Sequence, residues 1–239
     1  MKTFTTFNTF EDIRNGDNMS QEEFHTLYEQ KPDCFRAELL AGTVYVCEPL
    51  SEFHADIHTE LAALFGAYRA YTPGVQALID ATVILGESDE VQPDMTLRVL
   101  PEYQGQTSDY IYKKGRKASG PYIKGAPELV AEISFSSRSM DLHVKRKRYE
   151  QAGVLEYLVI SLQDEELFWF DLANGTSIKP SKGIFKSRIF PGLWIHKSAL
   201  FGMRYELMMD TVQRGLSSAE HKSFLSHLRE LRANKKPSN

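Results

Sequence analysis

Apolar positions recur along the chain with two periods, one near 3.6 residues and one near 2. Phe24, Leu27 and Tyr28 keep helical spacing behind Ser20, and Ser20 with Glu23 forms a capping-box pattern, so a helix is predicted to start there and to stop by Pro32 and Asp33. The stretch "FRAELLAGTVYVCE" reads as two short strands around Gly42. Ile57, Leu61, Leu64 and Tyr68 share one face of a helix predicted over 53–70, which the Thr72-Pro73-Gly74 turn ends. Alternation then predicts strands at 77–85 and 92–99, and 101–125 keeps no lasting period, as a long loop or extended hairpin would. "ELVAEISF" (128–135) is a strand, "SMDLHVKRKRYEQAGV" a helix ending at Gly153, and 155–162 and 165–172 are strands. A strand, a helix and a strand in that order predict a crossover unit inside a mixed sheet. From about 197 the pattern turns helical, with Ser217 and Glu220 as a second capping box.

The predicted fold class is therefore α/β (α+β), a mixed central sheet flanked by helices with a helical C-terminal extension. The expected division is a loosely attached polar arm over 1–18, a main domain over 19–196 and a helical tail over 197–239. Composition alters this picture little. With 239 residues, 42% hydrophobic and 25% charged, the chain can bury a sizeable core. A net charge of −4 does not suggest bulk electrostatic coating of nucleic acid, so any phosphate contact must come from local patches. Cys34 and Cys47 form no CxxC pair, which fits a reducing cytoplasm. Neither an apolar leader core nor a run of 18 apolar residues occurs, so neither export nor membrane insertion is expected.

Three charged residues stand out against the apolar periods. In 128–135, Glu132 shares one strand face with Glu128, Val130 and Ser134, opposite Leu129, Ala131 and Ile133. A mid-strand glutamate either faces solvent or is buried with a compensating cation, because an unpaired buried carboxylate costs several kcal/mol. Lys145 lies in the stripe Leu142, Lys145, Tyr149 and Ala152 on the following helix, either snorkelling at its rim or pointing back over the end of the Glu132 strand. Pro93 cannot donate to a ladder, which puts Asp94 near a sheet opening. Two carboxylates from separate strands repel by roughly 4 kcal/mol at 4 Å with an effective dielectric of about 20, and a divalent cation removes that cost. Oxygen donors alone suit Mg²⁺ or Mn²⁺.

The order Pro93-Asp94, Glu132-Ile133-Ser134 and a helical Lys145 resembles the PD-(D/E)XK nuclease superfamily and, within it, the bacterial Uma-type family of restriction endonucleases. "AELLAGTVYV", "TPGVQALIDATVIL", "VQPDMTLRV", "GAPELVAEISFSSRSMDLHVKRKRYEQAGVLEYLVI" and "FPGLWI" carry the resemblance, across roughly 20–200. It implies a restriction-endonuclease-like core with a metal site at one end of the sheet. Asp94 and Glu132 would be the ligands, the Ile133 carbonyl a third, and Glu38 would hold a metal water. Ser134 stands where a lysine is usual, and Lys145 matches the position to which that lysine has migrated. The implied activity is Mg²⁺- or Mn²⁺-assisted hydrolysis of DNA phosphodiester bonds, with Lys145 orienting the water or the phosphoryl oxygens. His54 resembles a family histidine near the site and would contact phosphate, and Ser134 would also face substrate.

Weaker signals surround this set. "HADIH" places His54 and His58 one helical turn apart, as in a zinc pair, although Ala55 replaces the glutamate of the HExxH protease motif. The cluster "YKKGRK", with Lys113, Lys114 and Arg116, and the cluster "KRKR" at 145–148 either follow a DNA backbone or are solvated faces. Two other functions compete with the nuclease: a non-catalytic module holding nucleic acid or a protein, and a hydrolase using Asp94 and Glu132 as an acid and base pair. A homodimer is expected only by analogy with other duplex cutters.

Overall fold

The computed structural model describes residues 12–32, 34–111 and 121–234. After the first helix, α1 (Gln21–Tyr28), come β1 (Ala37–Leu40) and β2 (Thr43–Val46), then α2 (Glu52–Ala70), β3 (Val75–Ile79), β4 (Val83–Gly86), β5 (Asp89–Val91) and β6 (Met95–Val99). The middle of the chain holds β7 (Ser108–Tyr110), β8 (Tyr122–Lys124), β9 (Leu129–Ser134), a π-helical segment (Met140–Lys145), α3 (Arg146–Ala152), β10 (Glu156–Ser161) and β11 (Glu166–Asp171). It ends with β12 (Thr176–Ile178), β13 (Ile184–Lys186), β14 (Trp194–His196), α4 (Lys197–Phe201), α5 (Tyr205–Leu216) and α6 (Ala219–Ala233).

Two six-stranded sheets form, in the orders β2-β1-β5-β4-β8-β7 and β12-β11-β10-β9-β6-β3, beside a β13-β14 hairpin. The crossover predicted from the sequence is present: β9 and β10 pair in parallel from Leu129↔Glu156 to Ser134↔Ser161, with α3 between them and Gly153 capping it at φ 94°. A left-handed backbone there suits glycine, which has no Cβ to clash. One face of the second sheet packs against α2 and α5, with Leu129, Ala131 and Ile133 meeting Ile57, Leu61, Leu64 and Met208. The other face, through Val130, Tyr157 and Val159, meets Tyr149 of α3 and Leu40, Val83 and Val91 of the first sheet. Leu167 and Trp169 of β11 also belong to the core.

The strand predicted over 77–85 is two strands in different sheets. β3 pairs with β6 from Val75↔Val99 to Ile79↔Met95, and β4 resumes with β5 at Val83↔Val91 in the same register. One long hairpin therefore runs through both sheets and opens between them. On one side Asp80 sits at φ 50°, a left-handed conformation, and on the other lie Gln92, Pro93 and Asp94. Pro93 has no N–H for a ladder, so the hairpin can part there without losing a hydrogen bond. The only backbone bond bridging the gap is from the Asp80 N–H to the Asp94 carbonyl, 3.3 Å, among the described residues.

Two further readings shift. Residues 12–19 are not loose: Ile13 and Met19 are buried with Phe24, and the Gly16 N–H donates to the Val44 carbonyl at 2.8 Å. The second cap is Ser218, whose hydroxyl accepts the His221 N–H, because Ser217 closes α5. No helix is long and apolar enough to cross a membrane among the described residues.

Candidate active site

The opening in the long hairpin forms the floor of a cleft of about 520 Å³, lined by Glu38, His54, Asp94, Glu132, Ile133, Asp141 and Lys145 among others. Each arrives from a different element. Glu38 lies on the same face of β1 as Leu40, Asp94 just precedes β6, and Glu132 is mid-β9 on the face that meets α3. His54 projects from the first turn of α2, whose N-terminus Ser51 caps by accepting the His54 N–H. Asp141 and Lys145 come from the π-helical segment. Such segments insert an extra residue into a turn and re-aim side chains, and they recur at functional sites.

Lys145 reaches the site. Its Nζ lies 2.7 Å from Glu38 Oε2, 3.0 Å from Glu132 Oε1 and 4.0 Å from Asp141 Oδ1, with the side chain 11% exposed. Burial works against its charge, but the carboxylates of Glu132, Glu38 and Asp141 outweigh it and hold the amine well above the ordinary lysine value. Glu132 moves in the same direction for the opposite reason. Its burial, reinforced by Glu38, Asp94 and Asp141, disfavours ionisation, and Lys145 offsets only part of this, so its carboxyl sits well above the usual range. Tyr149 also donates its hydroxyl to Glu132 Oε1 at 2.7 Å. Among the described residues no hydrogen bond engages Glu132 Oε2.

Asp94 is held separately. Its Oδ2 accepts the Ile133 N–H at 2.6 Å, its Oδ1 lies 3.4 Å from His54 Nε2, and its main-chain carbonyl accepts from His58 Nε2 at 2.9 Å. Burial raises its carboxyl, but the His54 contact and the Ile133 amide more than cancel that and leave it below the ordinary aspartate value. For His54, burial lowers the imidazole and the Asp94 carboxylate overrides it, so the net shift is upward. Glu38 Oε1 accepts the Gln92 N–H at 2.8 Å, which ties the mouth of the hairpin to β1.

Sequence reasoning named Asp94, Glu132, Lys145, Glu38, Ile133 and His54, and all six line this one cleft. Glu132 is not on a solvent face, being 5% exposed. Ser134 departs from the expectation: it is fully buried and off the cleft wall, so its hydroxyl cannot meet a substrate. Lys113, Lys114 and Arg116 lie outside the described residues. The "KRKR" cluster is divided: Lys147 is exposed, and the other three are engaged with the protein. Lys145 is in the site, the Arg146 guanidinium lies 4.1 Å from the centre of the Phe170 ring, and Arg148 pairs with Asp89.

Asp141 and Tyr149 went unrecognised. Asp141 is buried, accepts the Ser137 hydroxyl at 2.6 Å, and has its carboxyl raised by burial against the pull of Lys145. Its signal was available as an acid four residues before the lysine in the stripe, and Tyr149 lies four after it.

Charge decides what this cleft can hold. Among the described residues lining it are six carboxylates (Glu38, Glu48, Asp80, Asp94, Glu132 and Asp141) against two permanent cations, Arg36 and Lys145. Buried carboxylates in excess of their cations are costly unless a further positive charge joins them. The donor set of carboxylate oxygens, with Glu132 Oε2 uncommitted, fits a hard divalent ion.

The profile of the Uma2 family, described as "Putative restriction endonuclease", matches residues 21–198. No functionally curated protein matches the chain significantly. Among solved structures, a protein from Anabaena variabilis described as a "putative nuclease belonging to DUF820" superposes with a TM-score of 0.59 at 15% identity, covering 77% of this chain and 98% of its own. That likeness shows a shared fold. The family profile spans most of the chain, so this protein belongs to the Uma2 family.

Proposed function

We propose that the protein is a divalent-metal-dependent endonuclease that hydrolyses phosphodiester bonds in DNA. The observation that carries this reading is the Lys145 amine held between Glu38 and Glu132 in the cleft that also contains Asp94. Asp94 and Glu132, with the Ile133 carbonyl, would hold Mg²⁺ or Mn²⁺, which supplies charge neutralisation at phosphorus and acidifies a water.

The chain's own residues do the rest. Lys145 is a fixed cation among the buried carboxylates of the cleft and stabilises the phosphoryl oxygens or orients the attacking water. Glu38 keeps that amine in place while Gln92 fixes Glu38. Tyr149 commits one oxygen of Glu132, which leaves the other to face the cleft. The Ile133 amide fixes Oδ2 of Asp94 and leaves Oδ1 turned toward His54, so much of its orientation is set before reaction.

The acidic lining makes divalent ions a condition of phosphate entry as well as of chemistry. DNA affinity should therefore rise with Mg²⁺, whereas a non-catalytic module working through basic loops would bind DNA without it. The test is conversion of supercoiled plasmid to nicked and linear forms in Mg²⁺ or Mn²⁺. Wild type should cleave, and Glu132→Gln and Lys145→Ala should fall by at least about a hundredfold, in the range typical for loss of an electrostatic catalytic group. Equal rates in all three contradict the reading.

A further inference from the structure

We propose that His54, His58 and Asp94 form a second cation site, one that takes a borderline divalent ion of the zinc class. It deepens the reading above, since it shares Asp94 with the proposed nuclease site, but it uses nitrogen donors that the Glu132 side lacks. One donor atom from each of the three residues lies within 4.8 Å of the others. The histidines sit one turn apart on α2 and the aspartate at the open hairpin, so two rigid elements present the set. Their rings stand nearly perpendicular, with centres 5.8 Å apart.

The distance between His54 Nε2 and Asp94 Oδ1 argues for an ion between them. At 3.4 Å it is well beyond the usual length of a charge-assisted hydrogen bond. Ligands about 2.0–2.1 Å from a tetrahedral zinc lie about 3.3–3.4 Å apart, the edge of that tetrahedron. His54 Nδ1, on the far side of the ring, is buried with no hydrogen-bond partner among the described residues. A proton at Nδ1 leaves the Nε2 lone pair aimed at the Asp94 carboxylate, an arrangement that only a cation makes favourable.

His58 Nε2 donates to the Asp94 carbonyl at 2.9 Å. Exchange of its tautomer gives that nitrogen a lone pair next to the same group of donors. Two imidazoles with one carboxylate form a donor set typical of zinc and of other late first-row ions, whereas Mg²⁺ prefers oxygen alone. The bland alternative is that the two histidines merely clamp Asp94 through hydrogen bonds.

Co²⁺ titration of the full-length protein, followed by visible absorption, separates the two, because nitrogen ligation in a low-coordinate site gives strong bands that aqueous Co²⁺ lacks. Wild type should develop these bands to saturation at one ion per chain and lose them on adding Zn²⁺. His54→Gln and His58→Gln should each weaken Co²⁺ binding by at least about tenfold. Glu132→Gln should leave the bands intact, and far-UV circular dichroism checks the fold of each variant. Absence of bands in wild type, or unchanged bands in the two histidine variants, overturns the proposal. If one variant does not fold, wild type and the other variant still decide. Plasmid cleavage in Mg²⁺, scored in parallel, reports on the nuclease reading separately. Cleavage without Co²⁺ bands sinks only this site, and bands without cleavage sink only the nuclease.

Discussion

Replacing Lys145 with methionine removes the one buried ammonium from a group of buried carboxylates while nearly preserving volume. At 2.7 and 3.0 Å, its attraction to Glu38 and Glu132 is about 6 kcal/mol each at an effective dielectric of about 20. Burying the ions offsets most of that, and removing one partner of such a set typically costs about 3–5 kcal/mol, because the remaining charges stay buried and unpaired. The loss should also depend on pH. In wild type the lysine is held well above its ordinary value, so its contribution is fully present below that ordinary value and is lost only as pH rises through the folded one. Stability should thus be insensitive to this group across the neutral range.

In Lys145→Met the carboxylates that faced it protonate most readily in the folded state. The variant's deficit should then shrink as pH falls from about 8 to about 5. Urea unfolding of both proteins across that range, with and without saturating Mg²⁺, measures this. Added Mg²⁺ should recover part of the loss by replacing the missing positive charge. A deficit below about 1 kcal/mol that ignores pH would refute the reasoning, since it would place these carboxylates in water.

Other changes separate fold from site. Glu156 is buried and accepts from Trp169, Ser187 and the N–H groups of Arg188 and Ile189, so Glu156→Ala should cost about 3 kcal/mol in denaturant unfolding by stranding those donors. Tyr149→Phe should cost only about 1 kcal/mol in stability, yet slow plasmid cleavage by freeing Glu132 to change orientation. Burial opposes ionisation of Asp89, but Arg148, the Ala41 N–H and Ser88 outweigh it and depress the carboxyl. Its contribution is therefore present above its ordinary value of 3.8 and is lost as pH falls through the lower folded value. Thermal unfolding of Asp89→Asn should lose less stability than wild type over that acid range.

The parts of the fold set by local pattern were legible in the chain. The α2 stripe of Ile57, Leu61, Leu64 and Tyr68 is buried, and the strand, helix and strand from Leu129 to Ser161 pair in parallel as the crossover rule requires. The hairpin over 75–99 was misread because its alternation continues across Asp80, while the break depends on a backbone conformation that pattern does not encode. β12, β13 and β14, three residues each, are too short to show a period. At the site, Pro93-Asp94, Glu132 and Lys145 could be named because each violates the pattern around it. Asp141 was passed over although it lies four residues before Lys145, since an acid at the start of a helical segment looks like any other first-turn acid. Ser134 was misjudged because it shares the Glu132 strand face, and only three-dimensional packing shows that this face closes over it.

The most direct measurement of the central claim is anomalous diffraction from crystals of the protein soaked in Mn²⁺. The account predicts a peak within ligand distance of the Asp94 and Glu132 carboxylates, with the Lys145 amine still against Glu38. Ordered carboxylates with no peak between them at saturating Mn²⁺ would contradict it.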